Sequence, residues 1–460
     1  MRKLLLLTLA LLVMVVAADA QKFSVLYNLG SNSGDPRHAI YIGIFAQGRD
    51  GNLYSTSPYG GTSDKGTIFQ LTSAGKMKVL YSFDGKIGAL PRGGLTLGTD
   101  GSLYGTTSFG GTNNGGTVFK ITTSGKLTVL HNFINGSDGL TPYAAPIQGL
   151  DGNFYGTTTY ANARFGSVYK MTPSGKLTTL FVFNDSTSGQ TPGALVLGTD
   201  GNLYGTTQLG GANDKGAVFK ITPQGKFTLL HSFNGTDGQA VLGPLIQASD
   251  GNFYGTTQMG GAKRVGGAIY KMTPAGGLTD IFSFNSRFRD PKYPYAGLVQ
   301  ATDGKFYGAT TFGGMIGWGA LFQATSNDNF KDVYDFDLKT GADPQVSLFQ
   351  HTNGTLYGDT EAGGTKGNGV LYSLSIGLGP FVSFVGPLSS GKVGKTIEIL
   401  GQGFTGTSKV SFHDGVSATF TIVSDTYLTA VVPSGATGGS VTVTTPGGTL
   451  TSNKAFRVAP

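Results

Sequence analysis

Short apolar runs alternate with glycine-rich turns along most of the chain, and the pattern returns about every fifty residues. Within residues 194–233, Asp200-Gly201 separates the first two runs and signals a tight hairpin, with both central residues at positive φ. Four runs, called strands A to D, occupy 194–199, 202–207, 216–222 and 226–233. Four short antiparallel strands in each unit are typical of a β-propeller blade. The pattern therefore predicts an all-β fold.

One motif, Asp-Gly-x-(Leu/Phe)-Tyr-Gly, occurs almost unchanged once in each repeat and gives the number of repeats. Its tyrosines are Tyr54, Tyr104, Tyr155, Tyr204, Tyr254, Tyr307 and Tyr357. The seventh unit has strands A to C but no D, whereas Lys22–Leu29 matches residues 126–133, a strand D, position for position. Pairing of this N-terminal strand with the last repeat would close the ring and remove its open edges. We therefore predict a seven-bladed β-propeller over residues 21–377, closed by a split blade.

The pattern changes at Gly379-Pro380, where the Tyr-Gly phrases end and Val/Thr alternation begins. Short strands spaced by Gly/Pro turns are typical of a small immunoglobulin-like sandwich. We predict such a domain over residues 378–460. Its expected strands lie around 395–400, 409–413, 426–432, 440–445 and 454–458.

Two family resemblances follow from these motifs. The segment Ile397-Glu-Ile-Leu-Gly-Gln-Gly-Phe404, with Val441-Thr-Val-Thr-Thr-Pro-Gly-Gly448, resembles the IPT/TIG family of Ig-like domains. The Tyr-Gly-Thr-Thr…Gly-Gly…Gly-(Thr/Ala)-Val-Phe-Lys repeats resemble the GloVer-type tandem-repeat family of bacterial secreted proteins. The second resemblance implies an exported, surface-associated protein, and it supplies no activity and no catalytic residues.

The N-terminus predicts export. Arg2 and Lys3 precede an apolar run, Leu4–Ala18, and Ala18-Asp19-Ala20 follows. This is the pattern of a secretory signal peptide over residues 1–20, cleaved near Ala20, and the run is too short for a good membrane span. We expect a secreted, extracellular or periplasmic monomer without a membrane span. The chain has no cysteine, which excludes disulfides and thiolate metal sites.

Charge and titratable residues predict little chemistry. The formal net charge is +7, but the basic residues are dispersed, so we expect no nucleic-acid partner. Glutamate occurs only at Glu361 and Glu398, and most aspartates lie in A–B hairpins, where Asp-Gly is turn chemistry. His131 and His231 occupy a strand D position that is aromatic in the other repeats, which indicates packing. We predict no catalytic residue, no cofactor and no metal site.

Strand order places the A–B and C–D turns on one face of the ring and the longer B–C loops and D–A crossings on the other. Variable loops on a rigid scaffold commonly carry function, so we place the site on the second face. Departures from the repeat are concentrated at residues 285–295 and 315–318 and at 160–165. The candidate ligand-binding residues are Arg287, Arg289, Tyr293, Tyr295, Trp318, Tyr160 and Arg164. Exposed aromatics beside arginines suit a saccharide or protein ligand, unless they pack on each other or on the Ig-like domain.

Three functions remain open. The sequence favours a secreted or surface-associated, non-catalytic binding or adhesion module for a glycan or a protein. The alternative is a polysaccharide-active enzyme, a lyase or hydrolase, using loop aspartates or tyrosines on the same face. A third interpretation is a structural protein of the cell envelope.

Overall fold

A computed structural model describes residues 21–38, 45–134, 136, 138–160, 165–263, 265–285, 287, 289–386 and 389–459. The predicted signal peptide and Arg164 lie outside these residues. The described chain is all-β, with helix limited to the single turns Asp185–Ser188 and His413–Gly415. No helix in these ranges has the length and apolar character needed to cross a membrane.

Residues 22–375 form seven four-stranded antiparallel sheets within the described part of the chain. We number them one to seven and name their strands A to D. In that order the strands are Ala46–Gln47, Leu53–Ser57, Thr67–Leu71 and Met77–Ser82 (sheet one); Thr96–Leu97, Leu103–Thr107, Thr117–Ile121 and Leu127–Asn132 (two); Ile147–Gln148, Phe154–Thr158, Ser167–Met171 and Leu177–Val182 (three); Gln190–Leu197, Leu203–Leu209, Ala217–Ile221 and Phe227–Ser232 (four); Ile246–Gln247, Phe253–Thr257, Ala268–Met272 and Leu278–Ser283 (five); Val299–Gln300, Phe306–Thr310, Ala320–Ala324 and Phe330–Asp335 (six); Phe349–Gln350, Leu356–Asp359, Val370–Ser375 and Lys22–Asn28 (seven). A two-stranded piece pairs Pro36–Arg37 with Tyr59–Gly60.

The repeated tyrosine joins each sheet to the next one. Strands B are buried, except for the last two residues of the longer strand in sheet four, because both faces of a sheet are covered by neighbouring sheets. The ring of Tyr104 stacks on Phe154 of sheet three at 3.9 Å, and Tyr254 lies 4.2 Å from Phe306 of sheet six. Aromatic contact of this kind adds to the burial of apolar area. The repeated tyrosine therefore packs between neighbouring sheets.

The Asp-Gly hairpin differs from the predicted two-residue turn. In sheet two, Gly101 has φ +79°, but Asp100 is not at positive φ. The Gly98 N–H donates to the Ser102 carbonyl at 2.9 Å, so the loop holds three residues and ends in a glycine bulge. Asp100 accepts hydrogen bonds from the Ser102 N–H (3.0 Å) and the Tyr104 hydroxyl (2.9 Å). The aspartate thus holds the turn and the tyrosine together.

The N-terminal strand completes the last sheet. Lys22–Asn28 pairs antiparallel with Val370–Ser375, with Phe23 opposite Leu374 and Asn28 opposite Val370. Phe23 stacks on Tyr334 of sheet six at 3.7 Å, so the strand also contacts the neighbouring sheet. The predicted pairing of the two chain regions is confirmed.

Glutamines in strand A connect consecutive sheets. The side-chain oxygen of each accepts a hydrogen bond from a backbone N–H in the A–B turn of the preceding sheet, at 2.8–3.0 Å. The pairs are Gln148 with Thr99, Gln247 with Thr199, Gln300 with Ser249, Gln350 with Thr302 and Gln47 with Thr352. The last pair joins sheet one to sheet seven, so the sheets return to their starting point.

The C-terminal region is a small β-sandwich around a core that includes Val382, Ile399, Phe404, Leu428 and Phe456. One sheet contains Ser383–Val385, Thr396–Leu400, Tyr427–Val431 and Phe420–Ser424, and the other contains Lys409–Ser411, Thr442–Thr445 and Gly448–Thr451. Ser390–Lys392 pairs in parallel with Arg457–Ala459.

This sandwich lies against the A–B turns. Arg49 donates from Nε and Nη2 to the Glu398 carboxylate at 3.0 and 2.6 Å. Arg457 donates to the Thr199 carbonyl at 2.8 Å, so contacts reach sheet four as well as sheet one. A cavity of about 260 Å³ remains between strands A and the sandwich. Its apolar lining includes Phe45, Leu95, Leu97, Phe349, Phe384 and Leu400. The sandwich therefore covers the ends of strands A that lead into the A–B turns.

The Arg49–Glu398 pair gives the first testable prediction. We expect Arg49→Gln to destabilise the docked sandwich by about 1–2 kcal/mol, because a partly buried carboxylate loses a charge-assisted, two-point partner. Hydrogen exchange should become faster at the Phe381 N–H, which donates to the Thr352 carbonyl at the contact between the two parts. Lys409→Gln, an exposed change elsewhere on the sandwich, is the control. Equal exchange rates in both variants would contradict the prediction.

Candidate functional site

Exposed hydrophobic side chains are concentrated at one end of the sheets. Of thirteen large exposed hydrophobics among the described residues of the seven sheets and their connections, only Leu150 lies in an A–B turn. The other twelve lie at the B–C or D–A end, which we call the loop face: Phe109, Ile134, Tyr160, Val182, Leu209, Met259, Val265, Phe312, Met315, Ile316, Trp318 and Leu338. The sandwich contacts described above are at the opposite end. The loop face is therefore both apolar and open.

Part of this apolar surface recurs at one repeat position, directly after the Thr-x that ends strand B. The residues are Tyr59, Phe109, Tyr160, Leu209, Met259, Phe312 and Ala362. Several pair with the incoming D–A crossing, as in the bridges of Phe109 with Ala89 and of Phe312 with Lys292. Five of the seven are exposed and Tyr59 and Ala362 are half-buried, so burial in the core does not explain why this position is hydrophobic.

A second recurring feature holds the loop face rigid. One residue in each D–A crossing has φ between 49° and 59°: His38, Leu90, Thr141, Thr191, Ala240, Tyr293 and Asp343. Left-handed backbone is uncommon for such residues and costs about 1 kcal/mol or more at each. Each N–H donates to a B–C loop carbonyl, as from Tyr293 to Gly266 at 2.8 Å and from Asp343 to Trp318 at 3.1 Å. These bonds tie the crossings to the loops.

Sheet six carries a shallow, open cavity in this face. It has a volume of about 310 Å³ and is lined by Lys292, Tyr293, Phe312, Gly313 and Gly317. The rings of Tyr293 and Phe312 meet edge to face at 6.1 Å. Beside it, the B–C loop exposes Met315 (66%), Ile316 (55%) and Trp318 (37%). We call Phe312, Met315, Ile316, Trp318 and the cavity the sheet-six surface.

Charged residues of both signs surround the sheet-six surface. Arg287 and Arg289 are exposed, and the Lys292 ammonium donates to the Arg287 carbonyl at 3.3 Å. On the acidic side, desolvation of its carboxyl group and then the negative charges of Asp335 and Asp290 raise the pKa of Asp332. The surface is apolar with a mixed-charge rim.

A carboxylate pair, Asp343 and Glu361, lies where the crossing from sheet six into sheet seven runs beside the end of strand B of sheet seven. Burial raises the pKa of Asp343, and burial followed by the charge of Asp343 raises the pKa of Glu361. The Glu361 carboxylate accepts a hydrogen bond from Gln345, and His38 Nδ1 lies 3.1 Å from the Glu361 carbonyl. No group of three or more His, Asp or Glu among the described residues is arranged to hold a metal ion.

Comparison with protein families matches the Gloeobacter/Verrucomicrobia repeat at residues 12–213, 96–298 and 245–409, and the IPT/TIG domain at residues 380–458. The repeat matches together cover well over half of the chain. The chain belongs to the Gloeobacter/Verrucomicrobia repeat family. Both predicted family resemblances are confirmed. No curated protein matches it.

Solved structures similar to this Gloeobacter/Verrucomicrobia repeat protein support an all-β, propeller-like fold. One is the extracellular domain of a protein described as a hybrid two-component system from B. thetaiotaomicron, with 11% identity and a TM-score of 0.53. The match covers 93% of this chain but only 46% of that protein, so the chain spans about half its length. Another is a fungal alcohol oxidase of the AA5 family in complex with copper, with 13% identity, a TM-score of 0.52 and coverage of 93% and 100%. At these identities the likeness concerns the fold alone.

The structure of this repeat protein separates the predicted site residues. Arg287, Arg289, Tyr293 and Trp318 belong to the two loops that frame the sheet-six surface. Tyr295 is half-buried further along the crossing, toward strand A, and does not line the cavity. Tyr160 is 48% exposed on the loop face but belongs to sheet three. Arg164 lies outside the described residues.

Sequence reasoning missed two kinds of residue. Phe312 and Lys292 line the cavity, and the recurrence of an apolar residue just before Gly-Gly is the signal that could have identified Phe312. His131 and His231 pack edge to face on Phe133 and Phe233, as expected. They also lie within hydrogen-bond distance of Asp138 (3.1 Å) and Asp237 (2.7 Å) in the D–A crossings, so they help to fix the loop face.

Proposed function

We propose that the seven sheets are the blades of a closed seven-bladed propeller, and that the protein is a secreted or surface-associated, non-catalytic binding module. The concentration of exposed hydrophobic side chains on the loop face is the observation that supports a binding module. Exposed apolar surface in a soluble protein commonly marks an interaction site. The extracellular origin of a structural neighbour supports the location, and the ligand class is a glycan or a protein.

The proposed ligand contacts lie on loops held by the repeated backbone hydrogen bonds. A rigid surface loses little conformational entropy when it binds, which favours affinity. Arginine and aromatic side chains can serve either ligand class, through forked hydrogen bonds and stacking. The proposal therefore concerns the sheet-six surface first and the rest of the loop face second.

The test combines four substitutions, Arg287→Gln, Tyr293→Gly, Tyr295→Ala and Trp318→Ala. Glycine is chosen at 293 because it tolerates the φ of +59° found there. We expect the melting temperature to change little and the affinity for any ligand found on glycan and peptide arrays to fall at least tenfold. Leu90→Gly, the position that matches Tyr293 in the crossing into sheet two, should keep full affinity. Undiminished binding in the fourfold variant would refute the site.

A second candidate function is supported by the Asp343 and Glu361 carboxylates. Neighbouring carboxyl groups with raised pKa values are a common feature of glycoside-cleaving sites. Under this hypothesis the purified protein releases reducing ends or unsaturated products from polysaccharides, and Glu361→Gln abolishes the release. Retention of a glycan without product supports the binding module instead.

A further inference from the structure

We propose that the sheet-six surface binds a protein partner that inserts one apolar side chain into the cavity and places acidic residues beside Arg287 and Arg289. This inference rests on the proposed binding function and names its partner class. It is carried by the chemistry of the exposed side chains, by the cavity and by the charges at the rim.

The exposed side chains favour a protein over a glycan. Met315 and Ile316 are the most exposed residues of the surface, and they offer neither a flat ring for a sugar face nor a hydrogen bond for a hydroxyl. Saccharide binding requires several convergent polar groups, whereas the cavity is lined by two aromatic rings, two glycines and Lys292. Methionine, aromatic residues and arginine are the types enriched in protein interfaces.

The cavity suits a single anchor residue. Its volume of about 310 Å³ is at the small end of the range for ligand pockets. Anchors that fill a desolvated pocket at the centre of an interface carry much of the binding energy. Gly317 leaves the rim open, since a Cβ there would meet nothing within 4 Å, so a side chain can enter from the solvent.

The rim charges exclude a simple polyanion or an acidic lipid surface as the favoured partner. Asp290, Asp332 and Asp335 lie close to one another and Asp290 directly follows Arg289, so their charges would repel an extended array of phosphates or sulfates. Arg287 and Arg289 are exposed at the rim, where charges mainly provide specificity and faster association. One or two acidic side chains on a protein can meet these arginines and avoid the aspartates.

The chain's own sandwich does not occupy this surface. Its hydrogen bonds through Arg49, Thr199 and Thr352 are with A–B turns, at the opposite end of the sheets. The interpretation in which the loop aromatics pack on the Ig-like domain is therefore wrong. Within the described ranges, the hydrogen bonds of the sandwich do not reach the sheet-six surface.

The test uses Trp318 as its reporter, because it is the only tryptophan in the protein. A phage-displayed random 12-residue peptide library is selected on the full mature chain, and enriched peptides free of tryptophan are synthesised. We expect them to combine a Leu, Met or Phe with nearby Asp or Glu, to shift Trp318 emission to shorter wavelength, and to bind with a measurable Kd. A glycan array, probed with the same protein, runs in parallel.

Matched variants decide the outcome. Phe312→Ala should weaken the best peptide at least tenfold, the usual effect of removing an interface anchor contact. Alanine is acceptable at this position because Ala362 occupies it in sheet seven. Phe109→Ala, the same position in sheet two, should change the Kd less than twofold. Arg287→Gln with Arg289→Gln should weaken binding several-fold and reduce its salt dependence.

The experiment distinguishes failure of the protein-partner inference from failure of the proposed binding function. Peptides without the apolar-acidic pairing, or peptides insensitive to Phe312→Ala, overturn the protein-anchor inference. A glycan that shifts Trp318 emission and loses affinity in Trp318→Phe and Phe312→Ala also overturns it, but leaves the binding module in place. If neither peptide nor glycan changes Trp318 emission, the sheet-six surface is not a ligand site and both proposals fail.

Discussion

Removal of residues 21–29 is expected to destabilise the protein strongly. The strand Lys22–Asn28 covers the edge of Val370–Ser375, and Phe23 stacks on Tyr334 at 3.7 Å. Leu29, at its end, is fully buried. The deletion would expose an unpaired strand edge and apolar surface from two sheets, which promotes edge-to-edge association. We expect a fall in melting temperature of ten degrees or more, measured by thermal unfolding, and oligomers on size-exclusion chromatography.

A rescue experiment provides the control. A synthetic peptide of residues 21–31 should pair with the truncated chain and restore both its melting temperature and its monomeric state. The same peptide with Phe23→Asp should not, because the stacking position would then place a charge against Tyr334 and Tyr372. A truncated chain as stable and as monomeric as the full chain would show that the N-terminal strand does not close the last sheet.

The architecture was predictable because it depends on local patterns that repeat. Alternation of apolar residues, Asp-Gly turns and one tyrosine per unit specify four strands in register, and the match of Lys22–Leu29 to a strand D identified its pairing. The turn type was not predictable from these letters. A two-residue loop and a three-residue loop both place the glycine at positive φ. Only the hydrogen bond between the Gly98 N–H and the Ser102 carbonyl identifies the three-residue loop.

In the C-terminal sandwich, some of the short strands could not be predicted from the sequence. The predicted strands around 395–400 and 426–432 are present as Thr396–Leu400 and Tyr427–Val431. Phe420–Ser424 and Ser383–Val385 were missed. Phe420–Ser424 is an exposed strand with little apolar alternation, and Ser383–Val385 has only three residues. Pairing with longer neighbours, which involves residues distant in sequence, determines such strands.

The candidate site was partly predictable, because its irregular loops are visible in the sequence and its contacts between distant residues are not. Departures from the repeat identified Arg287, Tyr293 and Trp318, since an irregular loop in a regular scaffold is visible in the sequence. The cavity itself depends on Phe312, which follows the repeat and therefore attracted no attention. Asp343 and Glu361 are brought together because a D–A crossing runs beside the end of strand B, a contact that residue spacing does not reveal.

The repeated scaffold and the irregular loops therefore have different roles. Tyr–Asp hydrogen bonds, strand A glutamines and left-handed crossing residues recur around the ring and fix the geometry. Because the bonds between crossings and loops are made by backbone groups, sheet six can accept an exposed Met-Ile-x-Trp sequence without losing them. A surface supported in this way can change its ligand by changing few residues.

The second large effect concerns Asp359, a buried carboxylic acid in strand B of sheet seven. The same position is Thr56, Thr106, Thr157, Thr206 or Thr256 in five other sheets, and some of these hydroxyls bond to the backbone of the next sheet. Asp359 is 1% exposed and its Oδ1 has no hydrogen-bond partner. Burial raises its pKa to about 8, and its charge helps to raise the pKa of the neighbouring Tyr372.

We expect Asp359→Asn to stabilise the protein more strongly as pH rises from 4 to 8. The unfolded chain releases this proton near its ordinary pKa of 3.8, whereas the folded protein keeps it until about pH 8. The unfolded state therefore binds fewer protons over that interval, so wild-type stability falls by up to about 1.4 kcal/mol per pH unit and then levels off. Asparagine does not titrate and avoids this loss, so the gain should reach several kcal/mol at pH 8 and vanish below pH 4.

Urea unfolding of both proteins at pH 4, 5, 6, 7, 8 and 9 measures this difference. Asp151→Asn is the control with the opposite sign. Although burial acts to raise it, hydrogen bonds from Lys170, Asn153 and Tyr155 lower the pKa of Asp151 to about 2. Its stabilisation is complete above pH 4 and is lost only as pH falls through 2, so Asp151→Asn should destabilise by a constant amount between pH 5 and 8. A difference between Asp359→Asn and wild type that is equally flat over that interval would show that the Asp359 carboxyl is already ionised in the folded protein, and that its position is open to water.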